Sequence, residues 1–263
     1  MPSVSNIAVG ALVAGAAASK ARHGMNESIA RLSTGMRSIY GGDAAGQSVA
    51  NTLEARSKSW AIAARNAEDG ISAAQTAESA LLEIAALAQR LRELGIQADN
   101  AALLDDDADE AAMNAEATAI GTAIDQIVAK ATFNGISLIG TGPKEHAIGV
   151  TDDGGAVTLT TAATISAAAR TAAATADGSA DTTLQEVALS LGNVAAGIAA
   201  LKGRQAVAYA ASANLAAAAA RVEDTDFAKE TANLTKNSVL NQSAMAMVAQ
   251  ANQAQSAILA VLQ

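Results

Sequence analysis

The chain has 263 residues, of which 51% are hydrophobic but only 2% aromatic, and its formal net charge is −9. An apolar content supplied mainly by Ala favours closely packed helices over a ligand pocket lined with rings, and the acidic balance without a basic cluster argues against nucleic acid as a partner. The sequence contains no Cys, which excludes disulfides, thiolate catalysis and metal ligation by Cys.

The N-terminal apolar run, residues 7–18, has the length of a signal-peptide core, but no Lys or Arg precedes it. It is also shorter than the ~18 residues needed to span a membrane. Apolar residues recur every seven positions through this run and beyond it, and this spacing predicts one face of a coiled coil, formed by Val4, Ala11, Ala18, Met25, Leu32 and Ile39. The end of this helix is predicted near Tyr40-Gly41-Gly42, because Gly is costly in a helix interior.

A second, much longer helix is predicted to follow. Asp43 is in N-cap position for a helix that begins at Ala44 and ends near Asp99. At ~1.5 Å per residue, its part from Ser57 to Gln97 alone would be roughly 60 Å long. Two apolar rows at heptad spacing predict a face that packs against partners along many turns; they consist of Ala74, Leu81 and Ala88, and of Ala77, Ile84 and Leu91.

The acidic segment 105–110 favours the start of a third helix, because its carboxylates complement the helix dipole. That helix is predicted to end at Phe133-Asn134-Gly135, with a strand over 136–139, since Asn-Gly is a strong turn signal. Residues 148–150 and 157–160 flank a Gly-rich turn and predict a β-hairpin. Ala/Thr-rich residues 164–180 are interpreted as an exposed loop or a frayed helix. Helical periodicity returns at Leu184 and continues with little interruption to Leu262.

The predicted fold class is therefore mainly α. Long antiparallel helices form a terminal coiled coil and a helical rod, with a small β-hairpin element in the middle of the chain, and the two termini lie side by side.

Nothing in the sequence predicts a catalytic, cofactor or metal site. His23 and His146 are the only histidines, and neither belongs to an HExxH motif. The acidic segment lacks the Gly and the distal Glu of a calcium loop, and Gly-rich phosphate loops are absent from the sequence. An enzyme would need a pocket with a titratable cluster, so the expected function is not enzymatic.

Several motifs resemble those of bacterial flagellins, in the same order along the chain. The N-terminal ones are RLSTG at 31–35, DAAG at 43–46, ARNAEDGIS at 64–72, QTAE at 75–78, QRLREL at 89–94 and FNG at 133–135. The C-terminal ones are RVEDTDF at 221–227 and AQANQ at 249–253. Together these matches cover roughly 3–139 and 184–263. The chain departs from the family pattern at Tyr40–Gly42, where flagellins carry more charge, and at Ala254, where many relatives have Pro.

The resemblance implies an extracellular filament subunit for swimming motility, in a short form without large variable outer domains. Residues 1–42 and 222–263 would be the two halves of an inner coiled-coil domain, and residues 43–221 an outer helical rod with a β-hairpin region at about 134–180. On the C-terminal side the seam would contain Leu234, Met245, Val248, Leu259 and Leu262. Uncharged amides of the same helix would suit the wall of a wet central channel.

The partners implied are copies of the chain itself, arranged head-to-tail, the flagellar cap and hook-associated junction proteins, and an export chaperone with the flagellar type III export apparatus. The Toll-like receptor for flagellin is a further implied partner, with Arg90, Leu94 and Glu116 at matching positions. No membrane or nucleic-acid partner is expected.

Two other structural functions are weighed against this one. The hook–filament junction protein of the same family shares the terminal pattern, but it is not expected to carry the QRLRELGIQ helix. A coiled-coil adhesin stalk would need repeats through its middle, and none are present. For an isolated subunit, unpartnered helices predict fast amide exchange across 1–40 and 225–263.

Overall fold

The structure is a computed structural model that describes residues 2–39, 42–100, 103, 108–162, 164–166 and 172–261. It is mainly α, as predicted. In chain order the elements are α1 (Pro2–Thr34), α2 (Ala44–Ala98), α3 (Asp109–Lys130), β1 (Thr132–Phe133), β2 (Ile136–Ser137), β3 (Lys144–Gly149), β4 (Ala156–Ala162), α4 (Ala176–Glu223) and α5 (Phe227–Val261).

Helix α1 ends six residues before the predicted Tyr40, so that prediction is wrong. Gly35 takes a left-handed conformation with φ of 74°, and its N–H donates to the carbonyl of Arg31 at 2.8 Å. This is the glycine C-cap that terminates many helices. Ile39, the last member of the predicted heptad row, therefore lies outside the helix.

Helix α2 begins and ends where the sequence predicted. The carboxylate of Asp43 accepts a hydrogen bond from the N–H of Gly46 at 2.8 Å, which is the expected N-cap contact. All six residues of the two predicted heptad rows of α2 are fully buried. The acidic residues 105–107 lie outside the described residues, whereas Asp109 and Glu110 occupy the first turn of α3, as the dipole argument requires.

The first hairpin joins β1 to β2 through Asn134 and Gly135, whose φ angles of 49° and 79° are both positive. This is the turn that the Asn-Gly pair predicted. The strand is shorter than expected, since it covers only Ile136 and Ser137 of residues 136–139. Leu138 and Ile139 continue past it into the core, where both are buried.

The second hairpin confirms the pattern at 148–150 and 157–160. Strands β3 and β4 pair antiparallel, with Ile148 opposite Val157 and Gly149 opposite Ala156. Two contacts fix the hairpin to α2: Arg56 Nε lies 2.6 Å from a carboxylate oxygen of Asp152, and the Asn66 side-chain amide donates to the carbonyl of Gly149 at 3.1 Å.

The Ala/Thr-rich segment is more ordered in its described part than the sequence indicated. Residues 163 and 167–171 lie outside the described residues, but Ile165, Ala173 and Ala176 are buried. The side-chain oxygen of Asn114 accepts a hydrogen bond from the N–H of Ala173 at 2.7 Å, just before α4 starts at Ala176. The helix thus begins eight residues before the predicted Leu184, because tertiary contacts compensate for the weak local pattern.

The predicted run from Leu184 to Leu262 is interrupted once. Helix α4 ends at Glu223 and α5 begins at Phe227. Between them, the carboxylate of Asp226 accepts hydrogen bonds from the N–H groups of Ala228 and Lys229 at 3.0 and 3.1 Å. Asp226 is therefore an N-cap, a role that the periodicity of the apolar residues did not reveal.

The described chain divides into two compact units. Unit 1 comprises residues 1–55 and 215–263, and unit 2 comprises residues 56–214. The divisions fall inside α2 and α4, whereas the sequence placed them at 42/43 and 221/222. The core of unit 2 is made of large aliphatic side chains that are fully buried, among them Leu81, Ile84, Leu91, Ile124, Leu138, Leu159, Val187 and Leu201.

Helix α4 is both long and apolar. Together with the turn before it, over Ala173–Glu223, it is long and apolar enough to cross a membrane by length and composition alone. Its Val187, Val194 and Leu201 repeat at seven-residue spacing and are all buried in unit 2. Because core helices pass the same test, length and composition alone are weak evidence that a helix spans a membrane.

Candidate functional site

Unit 1 is built on the pairing of α1 with α5. The guanidinium of Arg31 lies 3.5 Å from a carboxylate oxygen of Glu230, and the α-carbon of Gly24 faces the side chain of Asn237 so closely that a Cβ there would lie 2.7 Å from the amide nitrogen. Residue numbers rise along α1 while they fall along the facing part of α5, so the helices run antiparallel. The predicted pairing of the two ends of the chain is thus present within one subunit.

The predicted seam residues of α1 lie mostly on the paired side. Ala18 is buried, and Ala11, Met25 and Leu32 are half-buried. Ile39 is half-buried too, but it follows the helix. Val4 lies in α1, and nothing is described of its side chain.

On α5, three of the predicted seam residues have described side chains, and one of the three is exposed. Leu234 and Val248 are half-buried, whereas Met245 is 52% exposed and the adjacent Ala244 is buried instead. The buried face of α5 therefore passes through Ala244 and not through the larger Met245 beside it. Leu259 lies in the helix without a described side chain, and Leu262 lies outside the described residues.

Polar groups are buried in this pairing. Ser28 and Glu230 are both buried, and the side-chain oxygen of Asn241 has no hydrogen-bond partner among the described residues. The Glu230 oxygen that faces Arg31 also lacks a hydrogen bond, since 3.5 Å makes an ion pair but a poor hydrogen bond. Buried polar groups without full partners reduce the net stability of a helix pair.

Large apolar side chains lie on the outside of unit 1. On α1, Leu12 is 76% exposed, and Val9 and Val13 are also exposed. On α5, Leu240 and Met247 are exposed. Neighbours three or four positions apart share a helix face, so each helix presents an apolar row to solvent. Clustered exposed apolar residues of this kind mark interaction surfaces.

A short strap closes one end of the pairing. Met36 forms a β-bridge with Asp224, the N–H of Arg37 donates to the carbonyl of Glu223 at 2.7 Å, and the N–H of Thr225 donates to the carbonyl of Gly35 at 2.9 Å. Apart from Gly35 itself, no residue pattern predicted this strap.

Arg37 also connects the strap to the start of α2. Its guanidinium lies 2.6 Å from the carboxylate of Asp43 and donates to the carbonyl of Val222 at 3.1 Å. The hydrogen bond from the Gly46 N–H, and then that from Arg37, hold the pKa of Asp43 below its usual value. Asp43 is therefore charged at neutral pH, where it caps the helix and pairs with Arg37.

The three residues proposed as a receptor contact lie in unit 2, and they divide into two kinds. The Arg90 guanidinium pairs with Glu93 at 3.0 Å and with Glu116 at 2.8 Å, and its hydrogen bonds to Glu93 and then to Glu116 hold the pKa of Arg90 above its usual value. Both Arg90 and Glu116 are about half exposed. Leu94, in contrast, is 1% exposed in the core of unit 2. It cannot offer its side chain to a partner, so the Arg–Leu anchor pair predicted from helical spacing is wrong in this conformation.

The two histidines belong to different units. His23 Nε2 is 3.2 Å from Glu27 on the exposed side of α1. His146 faces a groove of about 760 Å³ between α2, β3 and the first hairpin, where burial and the nearby Lys144 lower its pKa. Within the described ranges, no group of three or more His, Asp or Glu side chains is placed to hold a metal ion.

Comparison with protein families covers most of the chain. Residues 6–141 match the family described as the bacterial flagellin N-terminal helical region, and residues 175–262 match the bacterial flagellin C-terminal helical region. The part between these two matches contains the second hairpin, β3 and β4.

Individual relatives extend over nearly the full length. Flagellin of Halalkalibacterium halodurans is 32% identical over 245 residues, which are 88% of this chain and 89% of the relative. Flagellin of Bacillus subtilis is 30% identical over 275 aligned residues, covering 88% and 90% of the two chains. The flagellar filament 33 kDa core protein of Treponema phagedenis is 32% identical over 266 residues, covering 90% and 92%.

A fourth relative matches over a shorter range. Flagellin of Salmonella typhimurium is 40% identical over 121 residues, which are 46% of this chain and 24% of that relative. The likeness to that longer protein is confined to part of each chain.

Proposed function

The chain belongs to the bacterial flagellin family and is a structural subunit of the flagellar filament that serves motility, and on this premise we propose that unit 1 forms the inner layer of contacts between subunits. The observation that carries this proposal is the arrangement of unit 1 in a single chain. Among its described residues the fully buried apolar side chains are all Ala, whereas several large ones, including Leu12 and Met247, face outward.

Burial of the outward rows would supply much of the free energy of assembly. Apolar area removed from water is worth about 25 cal/mol per Å², and Leu12, Val13 and Met247 are each more than half exposed in the single chain. Contacts between two different surfaces of identical subunits extend into open helical filaments when the rotation does not close. A head-to-tail polymer therefore fits both the family and the exposed rows.

The amides of α5 fit a wall that faces water. Gln242, Gln250, Asn252 and Gln253 are exposed and carry no charge. Such side chains would line a water-filled central channel. Because they carry no charge, they would not form ion pairs with an unfolded subunit that passes through the channel. We propose this role for the amide-rich face of α5.

The site of action proposed is outside the cell. As a flagellin, the subunit would be secreted through the flagellar type III export apparatus with the help of an export chaperone. It would then be added to the filament beneath the cap, above the hook-associated junction proteins. The family assignment supports these partners as a class, and the absence of Cys is compatible with passage as an unfolded chain.

Substitution of Leu12 tests the polymer contact directly. Leu12→Ser removes a 76% exposed apolar side chain, so the isolated subunit is expected to keep its thermal unfolding midpoint while the critical concentration for polymerisation rises about tenfold or more. Ala16→Ser is the matched control, because it places the same residue on an exposed position of the same helix and removes little apolar area. Electron microscopy and sedimentation measure the outcome. Normal filaments from Leu12→Ser at the wild-type critical concentration would contradict the proposal.

A second proposal concerns the outer helix. We propose that exposed Arg90 and Glu116 of unit 2, without Leu94, contribute to binding by the Toll-like receptor for flagellin. Arg side chains are enriched in the centres of protein interfaces, and Arg90 is held in place by two carboxylates.

A reporter-cell assay with purified monomer tests this second proposal. Arg90→Ala is expected to lower the response, whereas Arg92→Ala is the control, because Arg92 is equally exposed and pairs with Asp181. Equal loss of activity in both variants, or no loss in Arg90→Ala, would overturn it.

A further inference from the structure

The pairing of α1 with α5 contains one close contact between a glycine and an amide. Gly24 lies in the interior of α1, where Gly is less favourable than Ala. A Cβ at this position would lie 2.7 Å from the side-chain nitrogen of Asn237, 3.1 Å from its Cγ and 3.3 Å from its oxygen. The missing side chain of Gly24 therefore leaves a notch that the Asn237 amide fills.

The strap at Gly35–Arg37 and Glu223–Thr225 fixes the alignment of the two helices at one end of the pairing. On the other side of Gly24, further from the strap, the inward positions of α1 at heptad spacing are small, including Ala11, Ala14, Ala18 and Ala21. Along a face of repeated Ala residues, a slip of one heptad brings similar side chains together again. In coiled coils, a single buried polar residue often specifies register at some cost in stability.

A second contact agrees with the first. Arg31 pairs with Glu230, and this pair lies seven residues from the Gly24–Asn237 contact along each helix. A slip of one heptad would place Asn237 opposite Arg31, or opposite Ala17 in the other direction, where a side chain occupies the notch. Only one alignment satisfies both contacts.

We propose that the Gly24–Asn237 contact fixes the register in which α1 and α5 pair, so that every subunit presents the same apolar rows to its neighbours. This inference rests on the proposed role of unit 1 in assembly. It adds the residues that decide how the pair is aligned. A filament requires identical subunits, and the Ala-rich part of the seam N-terminal to Gly24 does not by itself exclude shifted helices.

Alanine substitutions provide a matched test. Gly24→Ala and Gly15→Ala make the same change in the same helix and gain the same helix propensity. A Cβ at Gly15 meets no atom within 4 Å. We expect Gly15→Ala to pair and polymerise like the wild type. We expect Gly24→Ala to raise the critical concentration by up to about tenfold, because the new methyl group displaces the Asn237 amide from the notch. The double variant Gly24→Ala with Asn237→Ala is expected to stay defective, because it removes the clash but also lacks the contact that sets the register.

Register is measured with a pair of spin labels. The chain has no native Cys, so cysteines introduced at exposed Ser33 and Ser243 carry the labels without interference. A slip of one heptad moves one label along the other helix by about 10 Å, which pulsed electron spin resonance resolves. The distance is measured on the soluble full-length chain and on polymer diluted with unlabelled subunits. We expect one distance in the wild type and in Gly15→Ala, and a shifted or broadened distribution in Gly24→Ala and in Asn237→Ala.

The outcomes separate this inference from the proposed function. A wild-type distance distribution in both Gly24→Ala and Asn237→Ala would overturn the register assignment while leaving assembly through unit 1 intact. Wild-type assembly and a wild-type label distance in the double variant would overturn it too, since the helices would then align without the contact. If Leu12→Ser polymerises normally while the label distances shift as expected, the register assignment stands and the proposed role of unit 1 in assembly fails.

Discussion

Units 1 and 2 place their apolar residues in opposite ways. In unit 2 the buried residues include Leu81, Ile84 and Leu91, and the core is continuous from α2 through α3 and the hairpins to α4. In the described part of unit 1, every buried apolar residue is an Ala: Ala18, Ala21, Ala50, Ala219 and Ala244. The large side chains of unit 1, such as Leu12 and Met247, point to solvent instead.

The difference shows that two helical regions of similar composition obtain their stability from different sources. Unit 2 buries enough aliphatic surface to stabilise itself within one chain. Unit 1 buries mainly methyl groups and several polar side chains, and it leaves many of its large apolar side chains exposed to solvent. Binding to the folded state alone stabilises a protein by mass action, so unit 1 is expected to gain most of its stability in the polymer.

Amide hydrogen exchange provides the largest expected contrast between the two units. In a verified monomer, amides of α1 and α5 should exchange about a thousandfold faster than those of the unit 2 part of α2, because local opening costs little where few large side chains are buried. In the filament this difference should nearly disappear. Mass spectrometry after timed labelling measures both states. Strong protection of α1 and α5 in the monomer would show that the pairing is stable by itself and would break the comparison.

Truncation of a buried side chain tests whether unit 2 is stabilised by its own core. Leu81→Ala removes a fully buried side chain and is expected to cost about 2–5 kcal/mol, which lowers the unfolding midpoint by about 10 °C. Leu82→Ala is the control, since it removes the same atoms from a side chain that is 54% exposed. Calorimetry of the monomer measures both. Equal midpoints for the two variants would mean that burial in unit 2 does not determine its stability.

The acid response of the two units should depend on different carboxylates. The pKa of Asp43 in unit 1 is lowered by the Gly46 N–H and Arg37, and the pKa of Asp153 in unit 2 is lowered by the Thr151 hydroxyl and the Gly155 N–H. A carboxylate with a depressed folded-state pKa stabilises the fold above its unfolded pKa of about 3.9, and this contribution is lost as pH falls through the lower, folded-state value.

Charge-removing variants test this assignment. Asp43→Asn keeps a side-chain oxygen for the helix cap and is expected to flatten the acid dependence of exchange in unit 1 alone, whereas Asp153→Asn should affect unit 2 alone. Both effects are expected to be small, since both carboxylates are solvent-screened. Amide hydrogen exchange of each unit is measured between about pH 2 and 6 in the wild type and in both variants. A change in both units from either variant would show that they respond to acid together.

The smallest effect is expected at the Arg90 cluster. Arg90→Ala removes an exposed pairing with Glu93 and Glu116, and exposed ion pairs contribute little to stability. The unfolding midpoint of the monomer should stay within about 1 °C of the wild type. A larger fall would mean that the pairing supports the packing of α2 against α3, and loss of receptor response in that variant could then not be assigned to contact.

The sequence was most informative where one side chain decides the local structure. The Asp43 cap, the Asn134–Gly135 turn and the heptad rows of α2 were all predicted, because each depends on residues close together in the chain. The end of α1 at Gly35, the early start of α4 and the break at Asp226 were not. The start of α4 depends on a partner distant in sequence, since the N–H of Ala173 donates to Asn114. Gly35 and Asp226 are local caps that the apolar periodicity did not reveal, and a long-range hydrogen bond from the N–H of Thr225 to the carbonyl of Gly35 joins the two breaks.

The same contrast between local sequence signals and tertiary contacts applies to the candidate sites. Helical spacing placed Arg90 and Leu94 on one face, but it could not show that Leu94 is turned into the core. Apolar spacing also predicted Met245 for the seam, whereas the adjacent Ala244 is the buried residue. Because the two apolar residues are neighbours in α5, spacing alone does not distinguish them. Gly24, Asn237 and Glu230 carried only a weak signal, namely a glycine and polar groups within an otherwise apolar heptad row.

By itself, the sequence determined that this protein is mainly α, that its ends pair, and that it resembles flagellins, because heptad spacing and motif order are properties of the chain. The tertiary structure decided which residues face inward along the α1–α5 pair. Small and polar groups are fully buried there, larger residues such as Leu32 and Leu234 are half-buried, and others such as Leu12 and Met247 remain outside. The physical reason is that a run of Ala with scattered large residues is compatible with several helix faces. Only the contact with a specific partner helix, at Gly24 and Asn237 among other positions, selects one of them.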